Sequence, residues 1–330
     1  MKVGILGCAH MQAKSYAYQL KVLGVPLVGV FDHNTERGQD FAKGFDIPFF
    51  ANLNEILLTD MDTVLICSEN SYHYDYTLVS AFHGKHVIVE KPISSSVEEA
   101  EKMILVCREH HVKLLIAHPL RYSETIRHLK ELMTSGQLGN VLAINGSNRG
   151  KRPSGWFLDK ELAGGGAIID HTIHLIDLSR WLFDFDIKSI YARSANNQPS
   201  SKIEDSGLIH ITFTNNVFMS LDTSWNRPSN YPVWGSATME LITDRGRIFV
   251  DGFGRKSEII YFNQQMTYSH YENHMDYQML ADFQRCIDDD LPVPVSGEAG
   301  KYTVEIANLA YQSINEKKII FLTPQEGTHA

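Results

Sequence analysis

The 330-residue chain has only four cysteines, Cys8, Cys67, Cys107 and Cys286, and no two form a C-x-x-C pair. Thiols scattered this way build neither a disulfide framework nor a zinc ribbon, and predict a cytoplasmic protein with reduced cysteines. No run of ~18 apolar residues occurs, so no helical membrane span is expected. The opening residues, Met1 to Gly7, lack the apolar stretch and small-residue cleavage site of an export signal. Positive charge is also short, with 30 Lys and Arg against 39 Asp and Glu, a formal net charge of −9. A nucleic-acid interface needs a broad basic footprint, so nucleic acid is not expected as a partner. A small local anion site remains compatible with that charge. Internal repeats and low-complexity tracts are absent.

The chain does hold enough apolar sequence, 43% of residues, for packed cores. At ~150 residues per domain its length predicts about two of them. In the first third, apolar runs at residues 3–6, 27–31, 63–67, 86–89 and 114–117 alternate with helix-length segments. Short continuous apolar runs suit strands buried on both faces, and their alternation with helices predicts a doubly wound parallel sheet. The pattern then changes. After a helix near 124–135 come runs at 141–148, 187–192, 207–213, 217–223, 238–243 and 247–250, several alternating polar with apolar. Asn215-Asn216 and Arg245-Gly246 sit at hairpin positions, so this half predicts an antiparallel sheet with one buried face. Helices are expected at 165–183, 271–288 and 301–315, and the tail after Thr323 should fray. The predicted domains are 1–122 and 123–330.

The first strand runs into Gly7-Cys8-Ala9-His10-Met11-Gln12. In a dinucleotide-binding turn three glycines make the turn, admit the pyrophosphate and let helix pack on strand. Only the first, Gly7, is kept; Ala9 and Gln12 replace the others. Asp32 ends the second run, 25 positions after Gly7, where a carboxylate accepts adenosine ribose hydroxyls and disfavours a 2′-phosphate. This favours NAD, although the nearby Arg37 leaves NADP open. Gly7, Ala9, His10, Met11 and Asp32 are the candidate cofactor contacts here. The next strand end, Cys67 to His73, adds Ser68, Asn70 and His73, residue types that equally serve as helix caps.

Two further clusters carry chemistry. Glu90-Lys91-Pro92 closes the fourth run, and a Lys held beside a cofactor crevice can have its pKa lowered toward the working range. Gly164-Gly165-Gly166 precedes a helix and predicts a close approach of backbone to ligand. On that helix Asp170, His174 and Asp177 share one face, a carboxylate beside a histidine that suits proton transfer. The blander alternative is a hydrogen bond tying helix to sheet.

Taken together, Asp32 after the Gly7 turn, Glu90-Lys91-Pro92, Trp156 ahead of the three glycines, Asp170 through His174 into Asp177, and Ser296-Gly297-Glu298-Ala299-Gly300 resemble the Gfo/Idh/MocA oxidoreductase family. The resemblance covers nearly the whole chain. It implies an N-terminal Rossmann domain and a C-terminal α/β domain with a large, mostly antiparallel open sheet. It further implies bound NAD(P), with Glu90 and Lys91 on the cofactor side, and hydride transfer at a carbinol carbon of a sugar, inositol or sugar derivative. Lys91, Asp170 and His174 match the catalytic positions, and Arg121 lies in a segment near the substrate pocket. Arg152, Trp156, Trp225 and His270 are further pocket candidates. Glu69 departs from the family, which often has Pro there.

Two other functions fit parts of the sequence. A non-catalytic, cofactor-binding regulator could use the same fold, but would not need Lys91, Asp170 and His174 together. Metal-dependent hydrolysis could recruit Asp170, His171 and His174, yet no further ligand stands at a suggestive spacing, and no metal is expected. One face of the second-domain sheet should be left uncovered, which predicts a homodimer or homotetramer.

Overall fold

The computed structural model describes residues 1–198, 201–254, 256–261, 266–270 and 274–322. The expected fraying after Thr323, the helix start at 271–273 and the side chain of His270 lie outside that description. The chain divides into two compact units. One comprises Met1–Pro119 with Glu161–Gly164 and His274–Val304, the other Leu120–Lys160, Gly165–Asn273 and Glu305–Ala330. Two later segments thus join the residues expected to form the first domain.

The first unit begins with β1 (Val3–Cys8), α1 (Gln12–Val22), β2 (Leu27–Phe31), α2 (Thr35–Phe45), β3 (Phe49–Phe50) and α3 (Leu53–Leu57). It continues with β4 (Thr63–Cys67), α4 (His73–Phe82), β5 (His86–Glu90), α5 (Val97–Glu109) and β6 (Leu114–Ala117). The six strands pair in the order β3-β2-β1-β4-β5-β6, every pair parallel. Ile5, Leu6, Leu65, Ile66, Ile88, Val89 and Ile116 are wholly buried, as strands covered by helices on both faces must be. Asn34 and Ser96 start α2 and α5 by accepting the backbone N–H groups of Arg37 and Glu99. The strand order reverses between β1 and β4, so their adjacent carboxyl ends form the switch point where such sheets bind ligands.

The second unit contains α6 (Glu124–Thr134), β7 (Val141–Lys151) and, after the short α7 (Lys160–Ala163), α8 (Ala167–Phe183). Then come β8 (Ile187–Ala195), β9 (Ser206–Phe213), β10 (Phe218–Arg227), β11 (Gly235–Thr243), β12 (Gly246–Asp251), β13 (Lys256–Tyr261) and β14 (Met266–His270). The chain closes with α9 (Met275–Asp288), α10 (Gly297–Glu316) and β15 (Ile320–Phe321). Among the described residues the sheet order is β14-β13-β12-β11-β7-β10-β9-β8-β15. All pairs are antiparallel except the central β7–β10 pair, a parallel step that the hairpin pattern did not foretell. The expected turns are present, with Asn216 at a φ of 65° between β9 and β10. α8 lies on β7, β9 and β10, and Ile169 and Ile173 pack against Ala307 and Tyr311 of α10. With neighbours on both sides, α8 buries most of its circumference.

The start of α8 corrects one expectation. A Cβ on Gly164 would stand 2.6 Å from the Ser95 Oγ, one on Gly165 2.2 Å from the Tyr311 hydroxyl, and one on Gly166 2.1 Å from the Glu204 carbonyl oxygen. The three glycines therefore admit the protein's own groups. Glu204 Oε1 accepts the N–H groups of Gly166 (3.1 Å) and Ile168 (3.0 Å) and the Tyr311 hydroxyl (2.8 Å). A carboxylate there satisfies otherwise orphaned donors and complements the helix dipole.

α9 joins the first unit by packing on α1, where the Ser15 hydroxyl donates to Asp276 at 2.6 Å. The buried Tyr16 and Glu90 and the half-buried Asp276 act on one another electrostatically. Burial lifts the Glu90 carboxyl to about 7, even though the Lys91 charge and the Lys91 backbone N–H both favour its ionised form. Burial likewise raises Asp276.

Two stability outcomes follow. Glu204→Ala should lower stability by about 1–3 kcal/mol and Glu204→Gln by less, since the amide still accepts; thermal unfolding measures both. The raised Glu90 pKa means that the native state holds a proton the unfolded state releases. Its stabilising contribution is therefore complete below the ordinary glutamate range and is lost as pH rises through about 7. Glu90→Gln should accordingly flatten the fall in Tm between pH 5 and 8, and an unchanged slope would refute the assignment.

Candidate active site

In the first unit the site begins where β1 ends. Gly7 has a φ of 77°, and a Cβ on it would stand 2.5 Å from that of Ser68 at the end of β4. Only glycine fits this turn. Ala9, His10 and Met11 complete it. The His10 N–H reaches the Cys67 carbonyl at 2.9 Å, and His10 Nδ1 accepts from the Gln12 N–H at 3.3 Å. α1 then starts with no side-chain bond from its cap residue, Met11, and no acidic residue in its first turn. A cradle that a Cβ would fill, facing a helix start free of acidic residues, fits a dinucleotide diphosphate. Gly7, Ala9, His10 and Met11 would hold it.

Asp32 is wholly enclosed. Its Oδ2 accepts the Cys8 N–H (2.8 Å) and Arg37 Nε (2.9 Å), and its Oδ1 accepts the Asn34 N–H (2.8 Å) and Arg37 Nη2 (2.7 Å). Burial alone would raise this carboxyl, but Arg37 and the two backbone donors outweigh it and hold the pKa below the ordinary range. The Cys8 thiol, 3.1 Å from Oδ2, is pushed up by burial and then by the Asp32 charge. Arg37 also donates through Nη1 to Glu69 Oε1 at 3.0 Å. Sequence reasoning registered Arg37 and Glu69 only as complications; their link is visible only once β2 and β4 are placed in one sheet.

The remaining first-unit candidates mostly hold loops. The buried Ser68 hydroxyl donates to the Glu69 carbonyl, and Asn70 Nδ2 donates to the Ala163 carbonyl at 2.9 Å. His73 Nδ1 lies 2.8 Å from the Pro92 carbonyl, and burial lowers the pKa of this imidazole to about 4. It is therefore neutral and ties the loop after β5 to α4. Lys91 follows β5, buried, with a cis bond to Pro92. Its backbone N–H donates to Glu90 Oε2 at 3.0 Å, and Glu90 Oε1 lies 3.9 Å from His10 Nδ1.

In the second unit α8 carries Asp170, His171, His174 and Asp177. Asp170 Oδ2 accepts the Trp225 indole N–H at 3.0 Å and lies 3.3 Å from His171 Nε2. Trp225, expected as a pocket candidate, is buried and fixes the Asp170 carboxylate. His174 is buried with its ring edge-on to Phe253, centroids 6.5 Å apart. Arg121 grips Asp177 through Nε (2.8 Å) and Nη2 (2.6 Å), a two-point bond that engages much of the guanidinium offered for substrate. Arg152 donates to Asp205 (3.0 Å) and Ser201 (3.1 Å), and Trp156 stacks on Phe157 at 3.9 Å. Among the described residues no three His, Cys, Asp or Glu side chains converge as metal ligands, and no helix is long and apolar enough to cross a membrane.

Residues 1–118 match the oxidoreductase family with an NAD-binding Rossmann fold, and residues 126–249 match the GFO/IDH/MocA C-terminal domain. Glucose-6-phosphate 3-dehydrogenase of Bacillus subtilis (strain 168) is 30% identical over 238 residues, covering 68% of this chain and 67% of that protein. Myo-inositol 2-dehydrogenase of Thermotoga maritima is 23% identical and covers 98% of both chains. Levoglucosan dehydrogenase, solved with NADH and levoglucosan, superposes with a TM-score of 0.89 at 18% identity, covering 98% of this chain and 100% of that one. The chain belongs to the GFO/IDH/MocA oxidoreductase family.

Proposed function

We propose that this protein is an NAD-dependent oxidoreductase that moves hydride between nicotinamide and a carbinol carbon of a sugar, inositol or sugar derivative. The reading rests on one observation above others. The Gly7 turn packs on Ser68 ahead of a helix with no acidic residue of its own in the first turn, in the same compact unit as the buried Lys91. Its relatives include dehydrogenases named for glucose 6-phosphate and inositol, which points to the substrate class. Residues 1–122 serve the cofactor, with 161–164 and 274–304 folding alongside them. Residues 123–330 otherwise serve substrate and self-association.

Bound nicotinamide supplies the hydride acceptor. His174 takes the substrate hydroxyl proton, and Lys91 donates a hydrogen bond to the oxygen as negative charge develops on it. Asp170, anchored by the Trp225 indole, holds a neighbouring hydroxyl and keeps negative charge beside the histidines of α8. Arg121 acts through Asp177, positioning the helix that carries these groups.

The same proposal includes a cytoplasmic location, supported by four unpaired cysteines, and a dimer or tetramer. Leu142, Leu208, Phe218 and Ile242 are exposed on strands of the second-unit sheet, apolar side chains suited to an interface.

Screening sugars and polyols for NADH absorbance should find a substrate. On it, Lys91→Ala and His174→Ala should each lose ~10²–10⁴-fold in kcat, the usual reach of positioned acid–base groups. Full turnover by His174→Ala would overturn its role, and tight NAD binding with no turnover on any substrate would favour a sensor. Light scattering should report a dimer or tetramer at micromolar concentration, and Phe218→Glu should shift it toward monomer. A wild-type monomer would refute the interface.

A further inference from the structure

Glu69 takes no part in the function proposed above, yet the chain keeps it almost wholly buried, 3% exposed. It follows β4 and opens the short 3-10 turn Asn70–Tyr72. Its Oε1 accepts Arg37 Nη1 at 3.0 Å and lies 3.6 Å from His33 Nε2. Its Oε2 is buried with no hydrogen-bond partner. A carboxylate held in this way is costly, and Asp32 does not need it, since Arg37 Nε and Nη2 with the Cys8 and Asn34 N–H groups already satisfy that carboxylate.

What Glu69 changes is the charge and availability of Arg37. With Asp32 alone, Arg37 would form a neutral pair and keep Nη1 free. A guanidinium beside the second strand is the group that accepts a ribose 2′-phosphate. With Glu69 present, two carboxylates face one guanidinium, and all three of its nitrogens are engaged. His33 also lies against the pair, its Nδ1 3.9 Å from Asp32 and its ring centroid 4.7 Å from that of Tyr72, the planes tilted by 36°.

Building on the dinucleotide reading of this unit, we propose that Glu69 is a cofactor-specificity residue. By occupying Arg37 Nη1 and leaving the cluster net negative, it excludes a 2′-phosphate and strengthens selection of NAD(H) over NADP(H) beyond what Asp32 achieves. Arg37 stays bound to Glu69 when ribose hydroxyls compete for Asp32, so the guanidinium has a resting partner that is not a phosphate.

The test measures binding by calorimetry, with NAD⁺ and NADP⁺ and with the half-cofactors 5′-AMP and 2′,5′-ADP, which report the adenosine end alone. Glu69→Gln should tighten NADP⁺ and 2′,5′-ADP by about tenfold or more, because a carboxylate close to a phosphate dianion repels strongly at protein dielectric. NAD⁺ and 5′-AMP should change by less than about threefold, well short of the energy of one charged hydrogen bond. Adding Arg37→Gln should erase the gain, since a guanidinium no longer countered by a second carboxylate carries it. Glu69→Ala repeats the measurement where the glutamine variant fails to fold. An NADP⁺-to-NAD⁺ ratio that stays at the wild-type value in the Glu69 variants overturns the role of Glu69 while leaving the cofactor reading intact. Wild-type protein that binds neither dinucleotide overturns the cofactor reading, and this proposal with it.

Discussion

The packing of Gly7 on Ser68 is the constraint on which the first unit's chemistry hangs. β1 and β4 run side by side, Leu6 opposite Ile66 and Cys8 opposite Cys67, so the register shifts at Gly7 and the chain leaving β1 turns against the end of β4. A side chain at position 7 would meet Ser68 backbone and Cβ within 3 Å, and the φ of 77° admits glycine almost alone. That turn aims the Cys8 N–H at Asp32 and sets α1 on the sheet. Asp32 in turn fixes Arg37, and Arg37 fixes Glu69. One missing Cβ thus determines where four charged or polar groups meet. The replacement of the other two turn glycines by Ala9 and Gln12 is compatible with this, because neither contributes to that contact.

Charge in this protein acts locally. A net of −9 says little about an anionic cofactor, since the strand–turn–helix offers backbone donors and no acidic residue in the first turn of α1. A short distance along the same sheet, Asp32 and Glu69 surround Arg37. A diphosphate and a 2′-phosphate are both anions, yet the first would meet backbone N–H groups and the second two carboxylates. The discrimination comes from position, which a composition sum averages away.

Much of the architecture was legible in the sequence because buried parallel strands read as continuous apolar runs and half-buried ones alternate. β3 and β15 were not, since two residues have no periodicity, and β13 and β14 beyond the last run at 247–250 were not foreseen either. The parallel β7–β10 pair also escaped, because strand pattern records burial and not direction. In the site, spacing placed Lys91 at a strand end and Asp170, His174 and Asp177 on one helix, for these relations are local. Their partners are not local. Trp225 lies 55 positions from Asp170, Arg121 lies 56 from Asp177, and Ser15 lies 261 from Asp276. No single-sequence pattern couples residues at such distances, so pocket candidates such as Trp225 and Arg121 carried the right chemistry without their actual partners.

The two glycine-marked helix starts show why a motif alone does not identify a ligand site. Gly7 and the run Gly164 to Gly166 both precede helices, and both relieve steric contact with a neighbouring segment. At α8 the chain supplies its own anion, Glu204, and its own hydroxyl, Tyr311, to the first-turn N–H groups. At α1 the first turn carries no acidic residue of its own and takes no side-chain bond from its cap residue, and the Asp276 carboxylate near it accepts from the Ser15 hydroxyl. The helix dipole favours negative charge at both ends equally, so the difference lies in whether that demand is met from within. A glycine-rich start whose donors are closed by an internal carboxylate anchors the helix. One lacking such a carboxylate is where an external phosphate lowers the free energy most.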